Sequence, residues 1–205
     1  MPRAAGQIDR AKNEAILDAA AEILTERGLS APMAMIARRA CVSKQTIYNH
    51  YGAKLDLIQA LVQRRVQTLT APLIEPGAEE KPEDALASFA GIVIRMLSFR
   101  RGFGIMRLSV QSSVDMPHLA REVFQLGPNT TLSRLTAFMQ AEMDAGRMEK
   151  GSAPEAAEMF AGMVGGHKQI AAIMGCPILL DEPSIDALSR RIAQRFMRAF
   201  APQAG

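Results

Sequence analysis

The sequence predicts an all-α protein, with a small N-terminal helical unit followed by a larger C-terminal one. Along nearly the whole chain, apolar residues recur at three- and four-residue intervals, which is the spacing of one helix face. No stretch shows the sustained period-two alternation and β-branched enrichment that are typical of strands. Prolines and glycines interrupt the periodic segments and so mark the places where helices end.

The first four helices follow from apolar stripes and their stop signals. A stripe over residues 13–27 predicts the first helix, and Gly28 ends it as a C′ residue. The stripe consists of Ile16, Leu17, Ala20, Ile23 and Leu24. Pro32 suits the first turn of a short second helix. A third short helix is expected over about 44–51, and a longer one over about 54–72.

The C-terminal part begins after a stretch that is unfavourable for helix. The segment APLIEPGAEEKPED (71–84) holds three prolines, a glycine and five acids, which indicates a break between units. Helical blocks are then expected near 83–100, 102–113, 117–126, 130–146, 153–174 and 184–200. Gly127-Pro128 is one of the breakers that separate them. We therefore expect two domains, over residues 1–55 and 56–205.

Composition separates the same two parts. Residues 1–65 hold ten Lys or Arg against six Asp or Glu, whereas the remainder holds fourteen against fifteen. Positive charge therefore collects in the N-terminal part, where a polyanion would bind. All eight phenylalanines and ten of the thirteen methionines lie beyond residue 72, so the two parts have different interiors.

The chain shows no sign of membrane insertion or disulfide cross-linking. No apolar run approaches the roughly 18 residues of a membrane helix. The start, MPRAAGQIDRAKNEAI, lacks an apolar h-region, so we expect no secretory signal. Cys41 and Cys176 form no CxxC pair, which argues against a disulfide framework or a cysteine zinc site. The expected location is the reducing cytoplasm.

Two short helices joined by a tight turn, IARRACVSKQTIYNHY (36–51), have the pattern of a helix-turn-helix unit. Its inward-facing residues are predicted to be Ile36, Ala37, Ala40, Val42 and Ile47. Ser43 can cap the second helix by accepting a backbone N–H bond. The side chains left facing outward are Lys44, Gln45, Thr46, Tyr48, Asn49 and His50.

This outward face suits contact with a DNA major groove. Glutamine and asparagine can bond adenine edges, threonine can meet a thymine methyl group, and lysine and tyrosine can reach phosphates. The competing interpretation is an ordinary solvated helix face, with Tyr48 and Tyr51 as half-buried packing residues. The complete arrangement of helices, turn and cap favours the DNA-binding interpretation.

Three segments carry a family resemblance: ILDAAAEILTERG (16–28), IARRACVS (36–43) and TIYNHYGAKLDLI (46–58). In the last of them, an Ile-Tyr pair, a His-Tyr pair and Lys54 fill the positions of a family motif. From about Arg10 to Leu61, about a quarter of the chain, the sequence resembles the DNA-binding domain of the TetR family of bacterial transcriptional regulators.

The resemblance implies an N-terminal three-helix helix-turn-helix DNA-binding domain and a larger helical ligand-binding and dimerisation domain. It implies a homodimer that binds near-palindromic double-stranded DNA and a small-molecule effector. Lys54 is expected on a phosphate. The implied DNA contacts are Ser43, Lys44, Gln45, Thr46, Tyr48, Asn49, His50 and Lys54. No cofactor or metal ion is expected.

Two positions depart from the family pattern. Cys41 stands where glycine is usual, and a positive φ there would cost on the order of 1 kcal/mol. A redox role for Cys41 is the alternative to a small tolerated side chain. The polar residues that usually open the second helix are replaced by Ala31-Pro32-Met33, which weakens the case for a phosphate contact at that helix end.

A ligand pocket is predicted from apolar residues of the middle helices, because methionine and aromatic side chains suit apolar guests. The candidates are Phe89, Ile92, Met96, Phe99, Phe103, Met106, Phe124, Phe138, Met139, Met163 and His167. The alternative is that these residues form plain core. A basic run, Arg95, Arg100, Arg101 and Arg107, could receive an acidic ligand group or form a solvated face.

The last two helical blocks are predicted to form the dimer interface, because both have apolar faces and Gly165-Gly166 permits close approach. The predicted interface residues are Phe160, Val164, Ile185, Leu188, Ile192 and Phe196. The alternative is that both faces pack inside one chain.

We expect a DNA-binding transcriptional regulator, by default a repressor, that a small, largely apolar molecule releases from its operator. An enzyme is not expected, because the three histidines lack metal-binding spacing and no GxSxG occurs. Two alternatives stay open: an architectural helix-turn-helix protein without a ligand, and a helical enzyme without a known motif. A compound that raises the melting temperature and releases DNA would favour the regulator.

Overall fold

The computed structural model describes the backbone of residues 5–99 and 103–202, and the side chains of residues 10–99 and 103–202. Arg100 and Arg101 of the basic run lie outside the described residues. The described residues form eleven α-helices and one π-helical turn, with no strand among them, so the all-α fold class is confirmed. None of the described helices combines the length and apolar character needed to cross a membrane.

The α-helices, in chain order, are α1 Ala5–Arg27, α2 Met33–Arg39, α3 Lys44–His50, α4 Lys54–Ile74, α5 Pro82–Ser98, α6 Gly104–Gln111, α7 Pro117–Phe124, α8 Thr130–Asp144, α9 Ala153–Val164, α10 Gly166–Ile173 and α11 Glu182–Ala199. They divide into two compact units by packing. Unit 1 comprises Met1–Arg64 and Gly104–Val123, and unit 2 comprises Arg65–Phe103 and Phe124–Gly205.

Unit 1 is a small helical bundle around the helix-turn-helix. Fully buried side chains of α1 to α4 form its core: Ile16, Leu24, Ile36, Ile47 and Leu57. The start of α6 approaches α1 closely, because a Cβ on Gly104 would lie 2.5 Å from Thr25 Oγ1. Glycine at residue 104 therefore permits this contact between the two helices.

Unit 2 is built around the antiparallel pairing of α5 with α11. Gly91 faces Ser189, where a Cβ would lie 3.5 Å from the serine Oγ, and one turn later Arg95 Nη2 lies 2.6 Å from Glu182 Oε2. Helix α8 packs against α9 in the same unit. The largest fully buried side chains of this core are Leu86, Ile94, Leu135, Met139, Met148, Phe160 and Phe196.

Two predicted features of the C-terminal helices are wrong. The expected block over 153–174 is two helices, because Gly166 adopts φ +42°, a left-handed conformation that interrupts the helix. The expected break at Gly127-Pro128 is instead the π-helical turn Gln125–Asn129, through which α7 continues into α8. Thr130 and Thr131 hydroxyls donate to carbonyls of this turn, each at 2.9 Å.

The packing units do not divide at the predicted domain boundary of residues 55 and 56. Helix α4 continues from unit 1 into unit 2 at Arg64, and Gly104–Val123 packs with unit 1. Packing units are not a test of which segments fold independently. The assignment of domains to residues 1–55 and 56–205 therefore stays a prediction.

Candidate nucleic-acid interface

The turn between α2 and α3 is closed by backbone hydrogen bonds and a left-handed residue. Cys41 has φ +55°, and among the described residues it is the one non-glycine residue with a positive φ. Its N–H donates to the Arg38 carbonyl at 3.2 Å, and the Val42 N–H donates to the Ala37 carbonyl at 3.0 Å. These two bonds and the left-handed residue are the Schellman motif that ends α2.

Helix α3 is short, and its position is fixed at both ends. Ser43 caps it, because its Oγ accepts a hydrogen bond from the Thr46 backbone N–H at 2.9 Å. Ile47 is its one fully buried side chain and faces the core of unit 1. At the other end, the Tyr51 hydroxyl donates to Asn13 Oδ1 of α1. The remaining side chains of α3 are exposed or half-buried.

The exposed face of α3 carries a preformed set of polar side chains. Gln45 Nε2 donates to Asn49 Oδ1 at 2.8 Å, which leaves the Gln45 oxygen and the Asn49 amide nitrogen for other partners. Lys44 Nζ lies 5.8 Å from the centre of the Tyr48 ring, a cation–π contact that holds a positive charge beside an exposed phenol. The Tyr48 side chain is 41% exposed. The Thr46 hydroxyl pairs with Ser43 Oγ at 2.8 Å.

Tyr51 is structural rather than part of this face. It is 7% exposed, and burial raises the pKa of its phenol above 10.0, with Arg64 opposing and Glu14 adding to the rise. The His50 ring lies beside it, with ring centres 6.2 Å apart. The competing interpretation, in which Tyr48 and Tyr51 are half-buried packing residues, therefore does not describe Tyr48, which is exposed, whereas Tyr51 is a packing residue and is buried.

Two basic residues near the turn have partners inside unit 1. Lys54 Nζ donates to the Leu29 carbonyl at 3.0 Å, so it ties the start of α4 to the segment after α1. Two of its three N–H groups remain for a phosphate, and that role stays a prediction. Arg39 pairs with Glu22 of α1 at 2.5 Å. Pro32, which was predicted to lie in the first turn of α2, instead occupies its N-cap position and makes no side-chain cap hydrogen bond.

The predicted ligand-pocket residues are divided between core and surface. Phe89, Phe103, Phe138 and Met139 are buried, and Ile92, Met96 and Met106 are half-buried, whereas Phe99, Phe124, Met163 and His167 are exposed. An open cleft of about 220 Å³ in unit 2 is lined by other residues: Met143, Glu149, Lys150, Gly151, Ser152, Glu155, Ala156, Met159 and Phe200. The pocket assignment therefore stays a prediction.

The predicted dimer residues lie inside one chain. Five of them are buried in the unit 2 core, and Leu188 packs against that core. The six predicted residues are Phe160, Val164, Ile185, Leu188, Ile192 and Phe196. The ring of Phe160 makes an edge-on contact with Phe196 at 4.9 Å between centres. These residues pack within unit 2, as the alternative has it, and their assignment to a dimer interface stays a prediction.

Two features of unit 2 were not predicted from the sequence. Met159, Ile170 and Met174, together with the pocket candidate Met163, are large apolar side chains that α9, α10 and the residue after α10 leave exposed. Ser98 is a buried hydroxyl at the end of the apolar helix α5. The sequence signal was available for the exposed set, since methionines recur at residues 159, 163 and 174.

Comparison with known proteins identifies both parts of the chain. A family model described as "Bacterial regulatory proteins, tetR family" matches residues 16–61, which contain the helix-turn-helix. A second model, described as "AefR-like transcriptional repressor, C-terminal domain", matches residues 84–202, more than half of the chain. The transcriptional activator FasR of Mycolicibacterium smegmatis is 44% identical over 57 residues, which span 27% of this chain and 26% of FasR.

Solved structures share the fold over nearly the whole chain. A TetR-family transcriptional regulator from Mesorhizobium loti MAFF303099 matches with a TM-score of 0.74 at 20% identity, covering 93% of this chain and 96% of that one. The flavonoid-responsive regulator FrrA matches with a TM-score of 0.67 at 28% identity, covering 94% and 98%. With the helix-turn-helix geometry and both family models in agreement, the chain belongs to the TetR family of bacterial transcriptional regulators.

Proposed function

We propose that this TetR-family regulator is a homodimeric repressor that a small, largely apolar molecule releases from a near-palindromic DNA operator. The geometry of α3 is the observation that supports the DNA-binding part of this proposal. Only Ile47 is buried in this capped helix, and its polar residues face solvent as a set. A helix of this kind fits a major groove, where base edges present donors, acceptors and methyl groups.

The roles of the DNA-contacting residues follow from their chemistry. Gln45 and Asn49 bond base edges through the amide groups that their mutual hydrogen bond leaves unused, and Lys44 and Tyr48 bond phosphates. The full proposed set is Ser43, Lys44, Gln45, Thr46, Tyr48, Asn49, His50 and Lys54. Binding should weaken steeply with salt concentration, because phosphate contacts release counterions.

Repression is favoured over activation by the comparison with known families. The model that covers residues 84–202 describes the C-terminal domain of a repressor. FasR, an activator, is the relative that favours the second candidate function, although the match spans about a quarter of its length. A reporter gene behind the bound operator separates the two: its expression falls with a repressor and rises with an activator.

Dimerisation is supported by the exposed apolar residues of α9 and α10. Met159, Met163 and Ile170 are between 42% and 57% exposed, and Met174 after α10 is 75% exposed. Exposed large apolar side chains recurring on neighbouring helices are typical of an interface. A two-fold dimer formed through this surface would carry two recognition helices, one in each subunit. These two helices need a spacing of roughly 34 Å to enter successive major grooves.

The effector class is inferred from one relative. FrrA, which is 28% identical, responds to flavonoids, and flavonoids are planar, largely apolar molecules with a few oxygens. We therefore propose flavonoid-like aromatic compounds as the first class to test. An architectural DNA-binding protein without an effector is the second candidate, and it predicts no compound that changes DNA affinity.

Selection of bound duplexes from random DNA tests the proposed function. We expect an enriched near-palindrome whose half-site centres lie about 10 base pairs apart. Fluorescence anisotropy with that duplex then measures release by flavonoids. No enrichment of any duplex would contradict DNA binding. Enrichment without release by any compound class would leave DNA binding intact and contradict ligand control.

A further inference from the structure

Ser98 differs from the other buried hydroxyl groups of the described chain. Thr70, Ser98, Ser109 and Ser189 are all between 0% and 4% exposed. Thr70, Ser109 and Ser189 each donate to a backbone carbonyl of their own helix at 2.8–3.0 Å, the usual way in which a helix satisfies such a group. Ser98 Oγ is buried without a hydrogen-bond partner among the described residues.

An unsatisfied buried hydroxyl is unfavourable for folding. Water is lost from the group on burial, and no protein hydrogen bond replaces it. Alanine at residue 98 would avoid this cost and would favour the helix as well. Among the described residues of unit 2, no hydrogen bond uses the hydroxyl, so its donor and acceptor capacity is available to a bound molecule.

The unused Ser98 hydroxyl lies at the C-terminal end of α5, where α5 pairs with the start of α11. Arg95 of α5 already contacts Glu182 in the first turn of α11. Ser98 lies nearly one turn further along α5, beyond the residue that contacts the start of α11. Helix α10 of unit 2 also packs against α5. Its neighbours on α5 are apolar and buried, with Ile94 at 0% and Leu97 at 2% exposure.

We propose that Ser98 is the polar anchor of the effector site, and that the effector is an apolar molecule whose neutral oxygen, a hydroxyl or a carbonyl, bonds Ser98 Oγ. The inference rests on the proposed function, because it presupposes a small-molecule effector. A neutral oxygen fits because a carboxylate in apolar surroundings needs a cation. The charge of Arg95 is already paired with Glu182 and Asp186.

A pair of serine-to-alanine variants tests whether the hydroxyl is unused in the ligand-free protein. Ser189→Ala is the matched control, because it also lies buried in a unit 2 helix but breaks a hydrogen bond to the Asp186 carbonyl. We expect the melting temperature of Ser98→Ala to exceed that of Ser189→Ala by about 2–4 °C. A Ser98→Ala variant that is no more stable than Ser189→Ala would contradict the unused hydroxyl.

Three matched aromatic probes test the anchor itself by isothermal titration calorimetry with the full chain. The probes are 2-naphthol, its methyl isostere 2-methylnaphthalene, and the charged 2-naphthoate. We expect 2-naphthol to bind the native protein most tightly. Ser98→Ala should bind it roughly five- to tenfold more weakly, while binding 2-methylnaphthalene as well as the native protein does. Ser189→Ala should retain both affinities.

The outcomes separate this inference from the proposed function. Equal 2-naphthol affinity in the native protein and Ser98→Ala, or no binding of 2-naphthol at all, would overturn the anchor role of Ser98. Tighter binding of 2-naphthoate would overturn the neutral class. None of these results bears on operator release by other compounds, which is measured by anisotropy and which alone decides ligand control.

Discussion

At the scale of single residues, Cys41 holds a backbone conformation that glycine adopts at no steric cost. Its φ of +55° closes the helix-turn-helix turn, and its side chain is exposed. The non-glycine side chain in this left-handed region costs on the order of 1 kcal/mol. The cost is tolerated because the Schellman bonds on both sides of the residue fix the turn.

Cys41→Gly is therefore expected to stabilise the protein by roughly 1 kcal/mol, because it relieves this strain. Urea unfolding followed by circular dichroism measures the change. Cys41→Ala is the control, since it keeps the Cβ and removes only the thiol. Equal stabilities of the glycine and alanine variants would show that the turn is not strained at this residue.

Tyr51 makes the stability of the folded protein depend on pH in the alkaline range. Burial holds the pKa of the Tyr51 phenol above 10.0 in the folded state, so the folded state binds this proton more tightly than the unfolded state does. The stabilisation is fully present below pH 10.0 and is lost as pH rises through the folded-state pKa.

Tyr51→Phe removes both the titrating group and the bond to Asn13, so we expect a loss of about 0.5–1.5 kcal/mol at pH 7. The difference between native and variant stability should shrink as pH rises above 10.0. Thermal unfolding from pH 7 upward measures it. A difference that stays constant through the alkaline range would contradict the raised pKa.

Sequence reasoning was uneven at the residue scale for a physical reason. The buried Ile47 and the capping Ser43 were predicted, because apolar spacing and N-cap chemistry are local to α3. The bond from Lys54 to the Leu29 carbonyl was not, because its acceptor is a backbone atom 25 residues away with no side-chain signature. Ser98 was missed because apolar periodicity indicates which face of a helix is buried, but it does not indicate whether a buried hydroxyl has a hydrogen-bond partner.

At the scale of elements, the stability of α3 depends on its cap. The helix has seven residues, too few to persist without tertiary contacts and end capping. Helix α9 has a cap of the same kind, because Ser152 Oγ accepts from the Glu155 backbone N–H at 3.3 Å. The two serines therefore provide a matched pair in units 1 and 2.

Ser43→Ala and Ser152→Ala should each cost about 1 kcal/mol of stability in urea unfolding. Only Ser43→Ala should also weaken operator binding, by roughly fivefold, because the energy spent on ordering α3 then opposes DNA binding. Anisotropy with the selected duplex measures both variants. Equal DNA affinities for the two would indicate that α3 does not form the DNA contact.

The helices themselves were largely predictable, and the exceptions are backbone effects. Apolar spacing predicts the C-terminal ends of α1, α3 and α4 to within a few residues, since Gly28 follows α1, Gly52 lies two residues after α3 and α4 ends two residues past Pro72. Pro128 was expected to end a helix, but the chain widens into a π-helical turn there and threonine hydroxyls bond its carbonyls. The split at Gly166 depends on a positive φ, which the sequence permits but does not require.

At the scale of the whole molecule, the two apolar faces of α9 were not distinguishable by sequence. Phe160 and Val164 line one face and Met159 and Met163 the other, at the same helical spacing. In the structure the first pair is buried in the core and the second is exposed. The chain buries the face with the aromatic ring because Phe160 packs against Phe196 and Phe89.

Met163→Glu is therefore expected to dissociate the proposed dimer, because it would place a carboxylate in an apolar interface. Met116→Glu is the control, since Met116 is exposed to a similar degree, 47% against 42%, but lies in unit 1. Sedimentation velocity measures the mass of both variants. If the Met163→Glu variant remains dimeric, this face of α9 is excluded from the interface.

The most direct measurement is the affinity of the selected operator duplex for Tyr48→Ala and Lys44→Ala, with Lys150→Ala as a control for loss of an exposed positive charge in unit 2. If the exposed face of α3 contacts DNA, the first two variants bind at least about tenfold more weakly than the native protein. Lys150→Ala then stays within about twofold of it. Native affinity in both α3 variants, with normal folding, would contradict the role of α3 in DNA binding.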